Sequence, residues 1–303
     1  MIVPDSVKRP LPFTFVILAS LASISPSISG DAPENFKREN LVAWCIVSDT
    51  STQRSPLDRA ALLKRLELKR VVCDSRDLPV TQLEAEITAY RENGIDCFAF
   101  RSDQGEVYPL FTKHGMKPEI WRPLQTGKGL SNAEKVASAA EALVPLAKQA
   151  GELGLSLGLY NEGGWGGLPN NMVAVCKILR EKGFDVGLIY NFHHAHPRIA
   201  TFADDLAKMK PYLFCVNLNG MADPATEDVS KAAIKVKAIG SGKFEKEMIA
   251  TLISEGYIGP VGVLGHVTTR DLEEVLNENL IGLEKVIAEL PRQGLPVTSE
   301  NSE

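Results

Sequence analysis

The sequence predicts an α/β fold, a single (β/α)8 barrel preceded by a signal peptide, and three observations lead there. From residue 37 onward, short apolar runs alternate eight times with longer amphipathic stretches. The alternation is completed in roughly 250 residues, the usual length of such a barrel. No Gly-x-Gly-x-x-Gly turn follows the first apolar run, which counts against a doubly wound open sheet and against a nucleotide cofactor.

Taken in order, Lys8 and Arg9 precede an apolar run from Phe13 to Ile24, and small residues follow in Ser27-Ile28-Ser29-Gly30. A basic start, a short apolar stretch and small residues at a cleavage point describe a secretory signal peptide over 1–30. The run is too short to span a bilayer, and no cysteine follows it to carry a lipid, so no stable membrane anchor is expected. Export to the periplasm or beyond is the expectation, with a mature chain starting near Gly30 or Asp31. The barrel should occupy 37–290.

Its eight strands are read at Leu41–Val47, Arg70–Cys73, Asp96–Phe100, Glu119–Arg122, Ser156–Tyr160, Val186–Asn191, Leu213–Asn217 and Val261–Leu264. Ser55-Pro56 opens the first helix, serine as cap and proline in the first turn. Further helices are read at Thr81–Glu92, Asn132–Leu153, Asn170–Lys182, Ile199–Lys210, Lys243–Glu255 and Asp271–Leu290, with weak helical character over Gly105–His114. Gly94, Gly183 and Gly256 stand where left-handed caps end helices. The polar tail 291–303 is read as disordered.

The net charge of -5 leaves no basic stripe to neutralise phosphates, so nucleic acid is excluded as a partner. The five cysteines are odd in number, lack metal-ligand spacing and lie mostly inside apolar runs. They are read as free structural thiols in preference to a disulfide or a nucleophile.

Barrel active sites lie where the strands end, and strand residues alternate between the interior and the helix layer. The large apolar set should face the helices. That puts Val186, Leu188, Tyr190, Phe214, Val216, Leu218, Leu157, Leu159, Val261 and Val263 outside, and Gly187, Ile189, Asn191, Cys215, Asn217, Asn219, Gly158, Tyr160, Gly262, Leu264 and His266 inside. Four of the five histidines, His193, His194, His196 and His266, fall at strand exits, and Glu162 stands in the loop above Tyr160. Imidazole shuttles protons near neutrality and ligates metals. Asparagines, tyrosine and imidazoles hydrogen-bond hydroxyls, so a small carbohydrate is the expected partner. Trp44 and Trp121 could be core or a sugar-stacking platform. Trp165, in the glycine-rich Gly163–Gly167 segment, is read as a wall of the pocket within a mobile loop.

The segments 157–165, 189–196, 216–221 and 259–266, together with Trp44-Cys45 and Asp74 with Arg76, resemble the strand ends of the xylose-isomerase-like TIM-barrel superfamily, and within it the sugar phosphate isomerase/epimerase-type proteins. The resemblance covers roughly Leu41 to Leu290. It implies a divalent metal held by two glutamates, an aspartate and a histidine, with the glutamates relaying a proton through an enediolate. This chain departs from that pattern. Tyr160, Asn191, Asn217 and Leu264 stand where the family has acidic or imidazole ligands, and only His194 is kept. Losing the carboxylates removes charge that Mg²⁺ or Mn²⁺ needs, while His194, His266 and Glu162 could still form a Zn- or Mn-type site.

The leading expectation is an isomerase/epimerase-type enzyme that abstracts a proton next to a carbonyl of a sugar or keto-sugar. Glu162 or His194 would be the base, and His266 or His193 the acid or oxyanion donor. Trp44, Tyr160, Asn161, Trp165, Asn191, His196, Asn217 and Asn219 would bind substrate, with Arg101 or Arg122 taking an anionic group. A non-catalytic carbohydrate-binding barrel that has lost its metal, and a metal-assisted hydrolase or lyase of the same fold, are the alternatives. Which sugar is bound and the oligomeric state are left open.

Overall fold

The computed structural model describes residues 32–46, 54–74, 80–101, 105–129, 131–265 and 270–290. The expected signal peptide, Val47, Arg76, His266 and the tail 291–303 lie outside the described residues. In chain order the elements are β1 (Leu41–Trp44), α1 (Pro56–Arg65), β2 (Arg70–Asp74), α2 (Val80–Glu92), β3 (Asp96–Arg101), α3 (Tyr108–Lys113), β4 (Glu119–Pro123), α4 (Asn132–Glu152) and β5 (Leu157–Tyr160). They continue with α5 (Pro169–Glu181), β6 (Val186–Asn191), α6 (Phe202–Met209), β7 (Leu213–Leu218), β8 (Gly220–Met221), α7 (Ala232–Lys235), β9 (Val236–Lys237), α8 (Glu245–Ser254), β10 (Val261–Leu264) and α9 (Leu272–Glu289).

Eight strands, all parallel, close into a barrel in the order β1-β10-β7-β6-β5-β4-β3-β2. The expected (β/α)8 architecture is present. The helix starts follow the sequence signals. Ser55 and Ser131 each accept from the amide three residues on, and Asp58 and Glu134 reach back to close both capping boxes. Asp271 accepts from the amides of Glu273 and Glu274 at 2.9 and 3.2 Å and so opens α9. Gly94, Gly183 and Gly256 all take the positive φ that ends a helix. Among the described residues no helix is long and apolar enough to cross a membrane.

Two cores result. Outward strand residues such as Leu157, Leu159, Val186, Leu188, Val216, Val261 and Val263 pack with the helices. Inside the barrel, Val42, Trp44, Val72, Ala99, Trp121, Tyr160, Ile189, Cys215 and Leu264 form a second cluster. Phe214 corrects the expected alternation. The register between β6 and β7 slips after Leu188, so Phe214 becomes an extra residue and packs against the inner cluster. Gly187 makes room for it, since a Cβ there would come within 2.3 Å of the ring.

Three other expectations change. Cys73 and Cys97 form a disulfide between the adjacent strands β2 and β3, with Cα atoms 6.1 Å apart, while Cys45, Cys176 and Cys215 are buried free thiols. The stretch read as a helix from Ile199 begins instead as a 3-10 turn over His196–Thr201 and becomes α-helical only at Phe202. The Gly163–Gly167 segment is anchored rather than loose. Gly166 is buried against the carbonyl of Leu124, where a Cβ would come within 1.6 Å, and Trp165 Nε1 donates to Asn132 Oδ1 at 2.7 Å.

Candidate active site

The C-terminal ends of the strands bring most of the predicted residues into one chain of contacts. It begins with aromatic rings that plug the barrel. Trp44 lies edge-on to Trp121 at 5.4 Å and to Tyr160 at 5.9 Å between centroids, all three nearly or fully buried. Trp44 and Trp121 are thus barrel core, with Trp121 Nε1 donating down to Glu119 at 2.8 Å. Arg101, the last residue of β3, lays its guanidinium 4.8 Å from the Tyr160 ring and 5.8 Å from that of Trp44. A desolvated cation over aromatic faces is stabilised by roughly 2 kcal/mol. Its Nη2 donates to Glu162 Oε1 at 2.6 Å, tying the loop carboxylate to the barrel mouth.

Tyr160 connects this cation to the histidines. Its hydroxyl accepts from Asn191 Nδ2, and its ring stands edge-on to His194 at 5.8 Å. Burial, above all, lifts the Tyr160 phenol far above its ordinary range, so the hydroxyl keeps its proton and can donate it. Asn191 Oδ1 caps the following 3-10 turn by accepting from the His193 amide at 3.0 Å, which orients the histidine pair. The His193 and His194 rings stack at 4.6 Å and 9°. Burial first, then the charges of Lys235 and Arg101, lower His194 from 6.5 to about 4, so it is neutral at physiological pH. His196 is lowered as well, for the same leading reason, and is buried.

The asparagines divide by what they have left to offer. Asn161 is spent as a clasp: its Oδ1 accepts from the Asn191 amide at 2.7 Å and its Nδ2 donates to the Asn191 carbonyl at 3.2 Å. Asn191 is spent on Tyr160 and the histidine turn. Asn217 and Asn219 are fully buried, yet Asn217 Nδ2 and Asn219 Oδ1 have no protein partner, and neither does Arg101 Nε. Such orphaned buried groups are rare, and at a barrel mouth they are places for a polar ligand. Asn217 fits because Gly262 faces it; a Cβ there would fall 1.9 Å from its Oδ1.

Arg122 lies on β4, partly buried, and burial first, then the neighbouring charge of Arg101, lowers its pKa. Trp165 is placed elsewhere: it packs with the helix layer and bonds the start of α4, and its carbonyl accepts from Asn171. His266 lies outside the described residues.

Two features escaped sequence reasoning. Asp74, noted there only for the family pattern, ends β2 buried and in register with Arg101. Lys235 ends α7, in the long connection after β7, and is partly buried with its charge reaching His194 and His196. The available signal was position alone: loops after the seventh and eighth strands of such barrels commonly carry ligand-binding groups. A cavity of about 940 Å³ lies to the side, between the 233–246 segment and α9, and meets the barrel interior at Val236 and Leu264. None of the predicted site residues that are described lines it. Because the reactive groups gather over the barrel axis, the mouth and not this flank is the candidate site.

A divalent metal was expected on His194, His266 and Glu162, and of these His266 lies outside the described residues. Among the described residues no three His, Cys, Asp or Glu side chains gather to hold one. The one carboxylate expected as a ligand, Glu162, is engaged by Arg101, and the positive charges of Arg101 and Lys235 act on His194.

Comparison with known proteins agrees with this geometry at the level of fold. No protein-family profile and no curated protein matches the chain by sequence. Solved structures do match in three dimensions. A xylose isomerase domain containing protein from Salmonella typhimurium LT2 aligns with a TM-score of 0.63 at 12% identity, covering 86% of this chain and 98% of that one. The chain has the xylose isomerase-like TIM-barrel fold. A 3-keto-D-glucoside 4-epimerase from E. coli aligns at 0.58 with 16% identity, covering 81% of this chain and 98% of its own. An IOLI protein whose structure holds a zinc atom aligns at 0.63 with 13% identity, covering 82% and 98%.

Proposed function

We propose that this chain is a sugar-modifying enzyme of isomerase/epimerase type that moves a proton at a carbon next to a carbonyl, using protein groups in place of a metal. The observation that carries the reading is the Arg101–Glu162 pair set against Tyr160 and neutral His194 at the barrel mouth. Glu162, held by Arg101, is the base that takes the proton. Electrons from the broken C–H bond move to the carbonyl oxygen, and Arg101, the Tyr160 hydroxyl and a neutral His194 N–H are the donors that hold the resulting enolate oxygen. Protonation of the same carbon on its opposite face, by a second acid or after the enolate turns over, gives an epimer. Delivery of the proton to the neighbouring carbon, with that carbon's hydroxyl proton passing to the enolate oxygen as its new carbonyl forms, gives an isomer. Asn217 and Asn219 have spare hydrogen-bonding capacity for sugar hydroxyls. The epimerase among the structural neighbours supports the reaction class by analogy of fold.

The alternative is a carbohydrate-binding barrel without catalysis, favoured by the aromatic plug that fills the interior and by the scarcity of carboxylates among the described site residues. Incubating the mature protein with pentoses, hexoses and keto-sugars in D₂O, read by proton NMR, separates the two. Loss of a C–H signal beside the carbonyl is the expected result. Sugars that bind with every C–H retained would establish the non-catalytic reading.

Export through a cleaved signal peptide belongs to the same proposal. The Cys73–Cys97 bridge supports it, because structural disulfides persist mainly in oxidising compartments. Intact mass of protein recovered from a secreting host tests it; a chain that retains residues 13–24 refutes cleavage.

A further inference from the structure

The connection after β7 does not leave the barrel directly. Gly220–Met221 pairs antiparallel with Val236–Lys237, so the returning chain is pinned across the mouth, and Val236 packs on the inner cluster of the barrel. Lys235 precedes it, partly buried, and no carboxylate among the described residues pairs with its ammonium. Its charge is felt by His194 and His196 across the mouth. Among the described residues the charged groups around that mouth are Arg101, Arg122 and Lys235 against Glu162 and Asp74, and the Glu162 charge is already committed to Arg101. Holding an ammonium partly out of water without a counter-ion is costly. The cost is offset when a ligand brings the negative charge.

The chemistry of that charge can be narrowed. Phosphate in such barrels is commonly bound by backbone amides near the end of the seventh and eighth strands and the start of a following helix. Here the amides described after the seventh strand are occupied from within. Glu245, buried, accepts from Gly240 at 3.0 Å and Gly242 at 2.7 Å through one oxygen, and from Met221 at 3.0 Å through the other. A point charge such as Lys235, with single amide groups nearby, suits one carboxylate better than a phosphate needing a cradle.

We propose that Lys235 is the recognition group for a carboxylate on the substrate, so that the barrel takes a sugar acid in preference to a neutral sugar. This rests on the barrel mouth being the binding site. The test is calorimetric binding of D-glucuronate and D-galacturonate beside D-glucose and D-glucose 6-phosphate, with the mature wild type, Lys235→Met and Lys235→Arg. At least one uronate should bind wild type about tenfold or more tightly than glucose, a preference largely lost in Lys235→Met and kept in Lys235→Arg. The proposal is overturned if glucose and the uronates bind alike, if none binds, if glucose 6-phosphate outcompetes both uronates, or if Lys235→Met keeps the preference. Binding is read without turnover, so the two readings fail separately. Uronate capture with no C–H exchange removes the enzyme reading alone, and exchange on glucose with no acid preference removes this one alone.

Discussion

Replacing Glu119 by glutamine should change how stability depends on pH, with a sign and size that follow from the barrel floor. Glu119 opens β4, largely buried beneath Trp121, whose indole N–H it accepts at 2.8 Å. Burial, opposed by that hydrogen bond and reinforced by Asp185, raises its carboxyl from 4.5 to about 7. The folded protein therefore holds a proton that the unfolded chain releases. That contribution is present in full below pH 4.5 and is lost as pH rises to about 7. At about 1.4 kcal/mol per pH unit the shift amounts to roughly 3 kcal/mol, or about 2 after allowance for partial exposure.

His194 runs the other way. Its value falls from 6.5 to about 4, so its contribution is present above pH 6.5 and lost as pH falls through 4. Between these limits the two slopes oppose each other. Glutamine at 119 keeps an acceptor for Trp121 but cannot titrate. Urea unfolding of both proteins, at half-unit steps from pH 4 to 8, isolates the effect, because contributions from all other groups cancel in the difference. The stability of Glu119→Gln relative to wild type should climb by about 2–3 kcal/mol between pH 4.5 and 7.5. Parallel curves across that range would refute the reasoning.

Three further outcomes are expected. Nitrogen-15 NMR of the histidines should show His194 neutral down to about pH 4, and a midpoint near 6.5 would remove it as a neutral donor. Cys73→Ser opens a loop with a sequence separation of 24 and should lose about 3 kcal/mol in urea unfolding without reductant. Five free thiols in denatured, unreduced wild type would contradict the bridge. Gly262→Ala places a Cβ 1.9 Å from Asn217 Oδ1 and should cost about 1–3 kcal/mol in thermal unfolding while weakening sugar binding; unchanged melting and binding would show that Asn217 is not held there.

Much of the barrel was legible because period-2 alternation survives in strands buried on both faces. Gly158, Tyr160, Asn191, Asn217, Gly262 and Leu264 all face inward as the pattern requires. Phe214 was not legible, since a bulge inverts the side of one residue and its cause, the missing side chain of Gly187, lies on a neighbouring strand. The disulfide was hidden for a similar reason: Cys73 and Cys97 sit in separate apolar runs, and only lateral pairing of β2 with β3 brings them together. At the site, residue type predicted position better than use. Asn161 and Asn191 reach the mouth but spend their amides on the backbone and Tyr160, and Trp165 turns to Asn132. Lys235 carries no local motif. Its place depends on a two-residue strand pair that folds the connection after β7 back over the barrel.

Proton transfer by protein groups alone is tested most directly by C–H exchange into D₂O, measured by NMR on mature, chelator-treated protein with a sugar that binds, wild type beside Glu162→Gln. Exchange next to the carbonyl is expected to survive chelation and to fall about a hundredfold or more in Glu162→Gln. Exchange that disappears on chelation and returns with zinc or manganese, or that is untouched by Glu162→Gln, would contradict it.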